Sequence, residues 1–275
     1  MIGLAIVASG VSAQVPLFKV DVPDSVLNEV VRRNSVVEIS SANGKTSVDP
    51  YEYSECSSLK EVIVAEGIER IGEYAFLGCT GLEKVSLPSS LKEIGEGAFR
   101  ECVSLKELVI PEGVTVIPAY MCAWDEKLER VVLPGDLEDI SRNAFSYCFS
   151  LRNINLPEGL KHIGPNAFSF CRSLREAVVP DSVVELESYA FSECEGLERA
   201  KLPGNENMLG ELIFTGCVNL REIESPSEIP PTFDCESPLF DPFEADLFRQ
   251  CKLILPQNSR RAYSEAPGWT YFFME

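Results

Sequence analysis

The 275-residue sequence contains little positive charge and a single histidine. Its 24 lysines and arginines stand against 43 aspartates and glutamates, which gives a net charge of −19 at neutral pH. Such a chain repels a phosphate backbone or an anionic lipid surface on average, so nucleic acid is not an expected partner. With only His162 available, a histidine-rich metal site is excluded, and no metal or cofactor is expected.

The sequence also lacks an apolar run long enough to span a membrane. Residues 1–13, MIGLAIVASGVSA, are a short apolar run ending in small residues, as at a secretory cleavage site. No lysine or arginine precedes the run, so the positive start of a typical signal peptide is missing, and a buried N-terminal strand is the alternative. We expect a signal peptide at residues 1–13 and no integral membrane segment after its removal.

Motifs of common enzymes are absent as well. The sequence has no glycine-rich phosphate loop and no nucleophile elbow. His162 falls at a mostly polar position of the repeat described below, which favours a solvated side chain over a cysteine–histidine dyad. Carboxylates are abundant, but abundance alone does not indicate a glycosidase pair. We therefore expect no catalytic residue.

What the sequence does contain is a regular series of cysteines. Successive members are 23 residues apart, except where Asp125 occupies the expected position. Leu128, Val131 and Leu133 keep the spacing around Asp125, so that unit is present and only its cysteine is replaced. The series comprises Cys56, Cys79, Cys102, Cys148, Cys171, Cys194 and Cys217.

Each unit contains the pattern L-x-x-V-x-L, usually followed by proline. Alternation of period two predicts a short strand with one buried face, and proline ends it because it has no N–H to donate. One unit cannot bury its apolar face alone, whereas stacked copies can, so this period predicts a solenoid. The first leucine recurs at Leu59, Leu82, Leu105, Leu128, Leu151, Leu174, Leu197 and Leu220, and a phenylalanine recurs at Phe76, Phe99, Phe145, Phe168, Phe191 and Phe214.

The full motif, L-x-x-V-x-L-P-x-x-L/V-x-x-I-G-x-x-A-F-x-x-C, is clearest at Leu82–Cys102 and Leu151–Cys171. It resembles the BspA-like family of leucine-rich repeats over roughly residues 36–217. The resemblance implies an α/β-type repeat solenoid with 23-residue units, short parallel strands on the concave face and irregular or short helical return segments. By analogy, it also implies adhesion or host-protein binding by a microbial surface protein.

The limits of the repeat divide the chain into four segments. We expect the signal peptide at 1–13, an N-terminal cap at 14–35, the solenoid at 36–249 and a C-terminal cap at 250–275. An open solenoid needs caps because its end units would otherwise expose the core. In the C-terminal segment, the strand–proline pattern returns at Leu253 to Pro256, and a short helix is expected near Ser259 to Glu265.

The cysteine series predicts buried free thiols rather than disulfides. Equivalent positions in stacked units lie about 5 Å apart, which is within disulfide reach. However, a column of side chains that all point the same way rarely gives the required dihedral angle, and it offers no converging ligands for zinc. A ladder of disulfides is the alternative. A bridge between Cys235 and Cys251, which lie outside the series, stays open.

Charges alternate in sign on the outward side of the predicted strands. Opposite charges in neighbouring units would pair, which stabilises an exposed sheet and keeps it soluble. The alternation breaks where Arg152 and Arg175 become like-charged neighbours and Asn153 replaces a charge. The alternative to pure stabilisation is therefore a recognition patch midway along the sheet, formed by Val109, Arg130, Val132, Arg152, Asn153, Asn155 and Arg175.

The unit that contains Asp125 is irregular in two further ways. Cys122 occupies its phenylalanine position, and Trp124, in the same unit as Tyr120, replaces an ordinary loop residue. The tryptophan could mark a contact on the face opposite the sheet. Packing around Cys122 and Asp125 is an equal alternative.

These observations favour a secreted or cell-surface protein that binds a protein or glycan, including an extracellular protein of a host. A repeat solenoid gains contact area with every unit, so it suits recognition of a large partner. An accessory or structural subunit of an envelope complex is the alternative. A carbohydrate-active enzyme is the third hypothesis, and it depends only on the acidic composition.

Overall fold

The computed structural model describes residues 35–205, 208–233 and 251–273. Over these residues the chain winds into a solenoid of parallel strands with little helix, in which most coils take 23 residues. The predicted leucine-rich repeat solenoid is therefore confirmed. The expected signal peptide at 1–13, and the N-terminal cap as far as residue 34, lie outside the described residues.

The first strand of each coil is the predicted L-x-x-V-x-L segment. Its inward side chains are mostly buried and its outward ones are exposed or half-buried, as at Leu108 between Glu107 and Val109. Most neighbouring strands pair in register; Val62, for example, lies opposite Val85. We call this series the first ladder. Its strands are Val36–Ile39, Glu61–Val64, Lys84–Ser86, Glu107–Val109, Arg130–Val132, Glu176–Val178, Arg199–Lys201, Glu222–Glu224 and Lys252–Ile254.

A second ladder of two-residue strands follows in the segment for which irregular or short helical return structure was expected. Each strand except the last, Thr232–Phe233, buries one aliphatic side chain, such as Ile71 or Ile94, and directs the preceding residue outward. The buried aliphatic residue holds this side of each coil against the core. The strands are Ser47–Val48, Arg70–Ile71, Glu93–Ile94, Val116–Ile117, Asp139–Ile140, His162–Ile163, Glu185–Leu186, Met208–Leu209 and Thr232–Phe233.

The turn segment after each second strand is also hydrogen-bonded from coil to coil. The backbone N–H of Phe76 donates to the carbonyl oxygen of Ala98, and that of Phe145 donates to Ala167, both at 2.8 Å. This segment is not a strand, because two of its residues in each coil have left-handed backbone conformations; in one coil they are Tyr120 and Trp124. These bonds satisfy backbone groups that would otherwise face the packed core without partners.

The phenylalanine series forms a buried column. Phe76 stacks on Phe99 at a centroid distance of 5.3 Å, and the column resumes from Phe145 to Phe168 at 5.4 Å. Cys122 fills the intervening phenylalanine position and is fully buried. Burying each phenylalanine contributes roughly 1.5–3 kcal/mol to folding, so this column is a main source of stability.

The cysteine column consists of free buried thiols, as predicted. In each coil the sulfur donates a hydrogen bond to a carbonyl oxygen 26 residues earlier, the carbonyl at the phenylalanine position of the preceding coil. Cys251 is also a free buried thiol, and Cys235 lies outside the described residues. The donor–acceptor pairs are Cys79–Tyr53, Cys102–Phe76, Cys148–Cys122, Cys171–Phe145, Cys194–Phe168 and Cys217–Phe191, at 3.1–3.3 Å.

The C-terminal residues pack against the last coils. The strand Lys252–Ile254 extends the first ladder by pairing with Glu222–Glu224, and the helix Arg260–Glu265 follows. Trp269 is fully buried, and its indole N–H donates to the Pro231 carbonyl oxygen at 2.8 Å. This aromatic side chain covers apolar surface that the end of the solenoid would otherwise expose. Short 3-10 helices occur at Ala42–Gly44 and Thr270–Phe273.

Candidate functional site: a break in the first ladder

Strand pairing in the first ladder is absent between Lys84–Ser86 and Glu107–Val109, and the ladder is interrupted again at the coil that contains Asn153 and Asn155, where no strand forms. Asn153 forms only an isolated bridge with Arg130, and no strand pairing joins this coil to Glu176–Val178. Both asparagines occupy outward positions where the neighbouring strands have charged or β-branched residues. Asparagine is depleted in strands, which accounts for the local loss of regular pairing.

A shallow groove of about 320 Å³ lies at this break. The side chains of Asn153 and Asn155 are exposed, and neither amide forms a hydrogen bond with any described residue. Each amide can both donate and accept, so the groove offers two polar groups to a ligand. Its lining consists of Asn153, Ile154, Asn155, Leu156, Glu158, Glu176, Val178, Pro180 and Lys201.

Two of the predicted patch arginines point away from each other. Arg152 pairs with Glu129 at 3.4 Å on one side, whereas Arg175 pairs with Glu198 at 3.1 Å on the other. Each guanidinium thus has an acidic partner. Because the two partners lie on opposite sides, the two arginines point apart and their like charges do not meet. The sequence indicated that the alternation breaks here, but it did not indicate the direction that each side chain takes.

The remaining predicted residues lie on the N-terminal side of the break. Arg130 pairs with Glu107, and Val109 lies opposite Val132 in adjacent strands. Val109 is 49% exposed, so it presents apolar surface beside these ion pairs. The seven predicted residues therefore share the outward face of the first ladder, but only two of them line the groove.

Seven of the nine residues that line the groove were not predicted as site residues, and four of these carry outward side chains. Val178 is in the same register position as Val109 and Val132, so that series could have identified it. Glu176 and Lys201 belong to the outward charge series, and Glu158 directly follows the proline after the interrupted strand. These side chains line one groove only because of the spacing between two neighbouring coils, and no pattern in the sequence predicts that spacing.

Most outward charges of the first ladder form the predicted pairs between coils. These pairs are exposed, so each contributes at most about 1 kcal/mol, and their main effect is to keep an exposed sheet soluble and in register. They include Lys60–Glu83, Lys84–Glu61, Arg130–Glu107, Arg152–Glu129, Arg175–Glu198, Arg199–Glu176 and Lys252–Glu222.

Neither catalysis nor metal binding finds support elsewhere in the described residues. His162 lies in the second ladder, where its Nδ1 is 3.0 Å from Glu185, while the thiols are buried in the core. Within the ranges described, no three histidine, cysteine or acidic side chains converge as metal ligands. No helix in those ranges combines the length and the apolar character needed for a membrane crossing.

A family model described as "BspA type Leucine rich repeat region" matches residues 28–148 and 115–232, with six copies of the repeat. The chain belongs to the BspA-type leucine-rich repeat family. The matched ranges include most of both ladders and the whole groove. No curated protein matches the chain significantly.

Solved structures of bacterial leucine-rich repeat proteins share this architecture. A leucine-rich repeat protein from Bacteroides ovatus is 26% identical with a TM-score of 0.54; the match covers 85% of this chain and 66% of that one. This BspA-type chain therefore spans slightly less than two thirds of that protein. A leucine rich cell surface protein from Faecalibacterium prausnitzii is 21% identical with a TM-score of 0.41; the match covers 83% and 81% of the two chains.

Proposed function

We propose that this protein is a secreted or cell-surface binding protein that holds a protein or glycan ligand at the groove beside Asn153 and Asn155. The observation that carries the proposal is the pair of exposed amides, both without a partner among the described residues, at the one coil where the first ladder loses its strand. Polar groups on a rigid scaffold bind with little loss of entropy, because they are already positioned.

The chemistry of the groove suits a polar ligand with a small apolar part. Carboxylates of Glu158 and Glu176 and the ammonium group of Lys201 surround the amides, and Val178 adds an exposed apolar side chain. A volume of about 320 Å³ is at the lower end for small-molecule pockets. The groove therefore suits one sugar ring or one peptide side chain of a longer ligand, which would extend along the first ladder.

Location outside the cell is supported by two observations. Residues 1–13 have the apolar run and small residues of a secretory signal. One structural neighbour is described as a leucine rich cell surface protein. Adhesion to a host protein is the more specific form of this proposal, and it depends on the family resemblance alone.

The test is binding of the mature chain to a glycan array and to a panel of purified extracellular matrix proteins. In the variant with Asn153→Ala and Asn155→Ala, the affinity for the captured ligand should fall by a factor of about ten or more, because both polar contacts are lost. Lys60→Ala, on the same face but away from the groove, is the control and should bind as the wild type does. Equal binding by the double variant, or no capture from either panel, would reject the proposal.

A further inference from the structure

A column of aromatic residues lies on the turn segments of three neighbouring coils. It consists of Trp124, Tyr147 and Phe170, each directly before the cysteine position, with backbone φ angles of 65°, 62° and 62°. Left-handed φ favours glycine because a Cβ crowds the backbone, and a bulky residue is rare there. Gly78 and Gly216 follow that preference in other coils. Backbone preference therefore does not explain the three aromatic residues.

The three rings stack on one another. The centroid of Tyr147 is 5.0 Å from that of Trp124 and 4.5 Å from that of Phe170, with the ring planes nearly parallel. All three side chains are only partly buried. Both faces of Tyr147 are covered by its stacking partners, and Phe149 packs against it edge-to-face at a centroid distance of 6.0 Å. The ring surface that Tyr147 presents to solvent is therefore part of its edge.

Arginines cover the two ends of the column. The guanidinium of Arg100 lies 4.7 Å from the Trp124 ring, and that of Arg172 lies 5.0 Å from the Phe149 ring and 5.7 Å from the Phe170 ring. Each end of the column thus has a guanidinium beside it, which hinders the stacking of a sugar ring there. The edge of an aromatic ring carries partial positive charge, so the column and its arginines favour negatively charged groups.

One arginine near the Trp124 end of the column has no acidic partner among the described residues. Arg142 lies over the ring of Tyr120 at 5.5 Å, and Tyr120 shares the Arg100 guanidinium with Trp124. Arg142 is exposed, and it forms no ion pair with any described residue. By contrast, Arg100 is bound to Glu101 and Arg172 to Glu195. An exposed guanidinium without an acidic partner among the described residues is available to pair with an incoming carboxylate.

We propose that this aromatic column is a second docking surface, distinct from the groove, for an extended acidic segment of a partner protein. An apolar side chain of the partner packs on the ring edges while an adjacent carboxylate pairs with Arg142. Tryptophan, tyrosine and arginine are the residues enriched at the energetic centres of protein interfaces, and this surface combines all three.

The test is selection of random dodecapeptides displayed on phage against the full chain. Enriched peptides should combine aspartate or glutamate with an apolar residue. Synthetic versions should bind Arg142→Glu about tenfold more weakly than the wild type, since an attraction becomes a repulsion. Arg142→Glu changes an exposed side chain, so the variant keeps the fold, which circular dichroism verifies.

Two further variants separate this surface from the groove. Tyr147→Ser should also weaken the selected peptides, whereas Asn153→Ala with Asn155→Ala should not. Loss of binding in the groove variant alone, selection without acidic residues, or no selection at all would overturn the proposal. Sedimentation of the free chain as a dimer that Arg142→Glu dissociates would identify a second copy as the occupant and overturn the proposed partner chemistry.

Discussion

The carboxylate of Asp125 accepts a hydrogen bond at 2.7 Å from the backbone N–H of Cys102, one coil earlier. Asp125 is fully buried in the cysteine column, and its second oxygen, Oδ2, has no hydrogen-bond partner of good geometry. Burial raises the pKa of Asp125 well above the usual 3.8, and the bond from Cys102 offsets this only in part. The coil that departs from the repeat thus carries a poorly satisfied acid in an otherwise apolar core.

Restoring the repeat should stabilise the protein. Asp125→Cys removes the unsatisfied oxygen and replaces it with the thiol that neighbouring coils carry, so we expect the free energy of unfolding to rise by about 1–3 kcal/mol. Urea denaturation followed by circular dichroism measures the difference. As the converse control, Cys171→Asp should destabilise the chain by about 3 kcal/mol. An Asp125→Cys variant no more stable than the wild type would show that the carboxyl group is well accommodated.

The stability of the wild type should depend on pH through Asp125. Because its pKa is raised in the folded chain, the folded state keeps a proton that the unfolded state loses above pH 3.8. The stabilising contribution is complete below that value and declines as pH rises toward the folded pKa. The variant Asp125→Asn has no titratable group at this position, so its stability should lack this dependence on pH. Denaturation of both proteins across the pH range should show wild-type stability falling relative to the variant; parallel curves would contradict the assignment.

The column thiols should be chemically inert in the folded protein. Burial raises the pKa of every thiol from Cys79 to Cys217 in the column, and for Cys79 the pKa is about 12. The reactive thiolate is therefore scarce at neutral pH. In a Cys235→Ser background, a chromogenic disulfide reagent should modify almost no thiols until urea is added. Rapid modification of the native chain would mean that the column opens.

Reversing one charge of the first ladder should have a small effect that salt reduces. Glu107→Lys places a like charge beside Arg130 and should lower the free energy of unfolding by less than about 1 kcal/mol, because the pair is exposed. High salt should reduce the difference in the free energy of unfolding between this variant and the wild type, since it screens exposed charges. Glu126→Lys makes the same charge change at an exposed residue that has no ion pair with a described residue, and it should leave stability unchanged.

Some features of the molecule were readable from single positions of the repeat. Alternation in L-x-x-V-x-L predicted the first ladder, because burial of one strand face needs only a period of two. The cysteine spacing predicted the thiol column, and alternating charges predicted pairs such as Lys60–Glu83. The second ladder was not predicted, since two residues such as Arg70 and Ile71 are too few to show a period.

The candidate site was predicted only in part. Asn153 and Asn155 were identified because they replace charged or β-branched residues, but Glu158, Glu176 and Lys201 were not. The sequence by itself determined the coil length, the buried positions and the coil at which the regular pattern fails. Only the tertiary structure decided that Arg152 and Arg175 turn to opposite partners and that a groove opens beside the asparagines. Side-chain direction and the gap between coils depend on contacts across the stack, and those contacts exist only once the chain has folded.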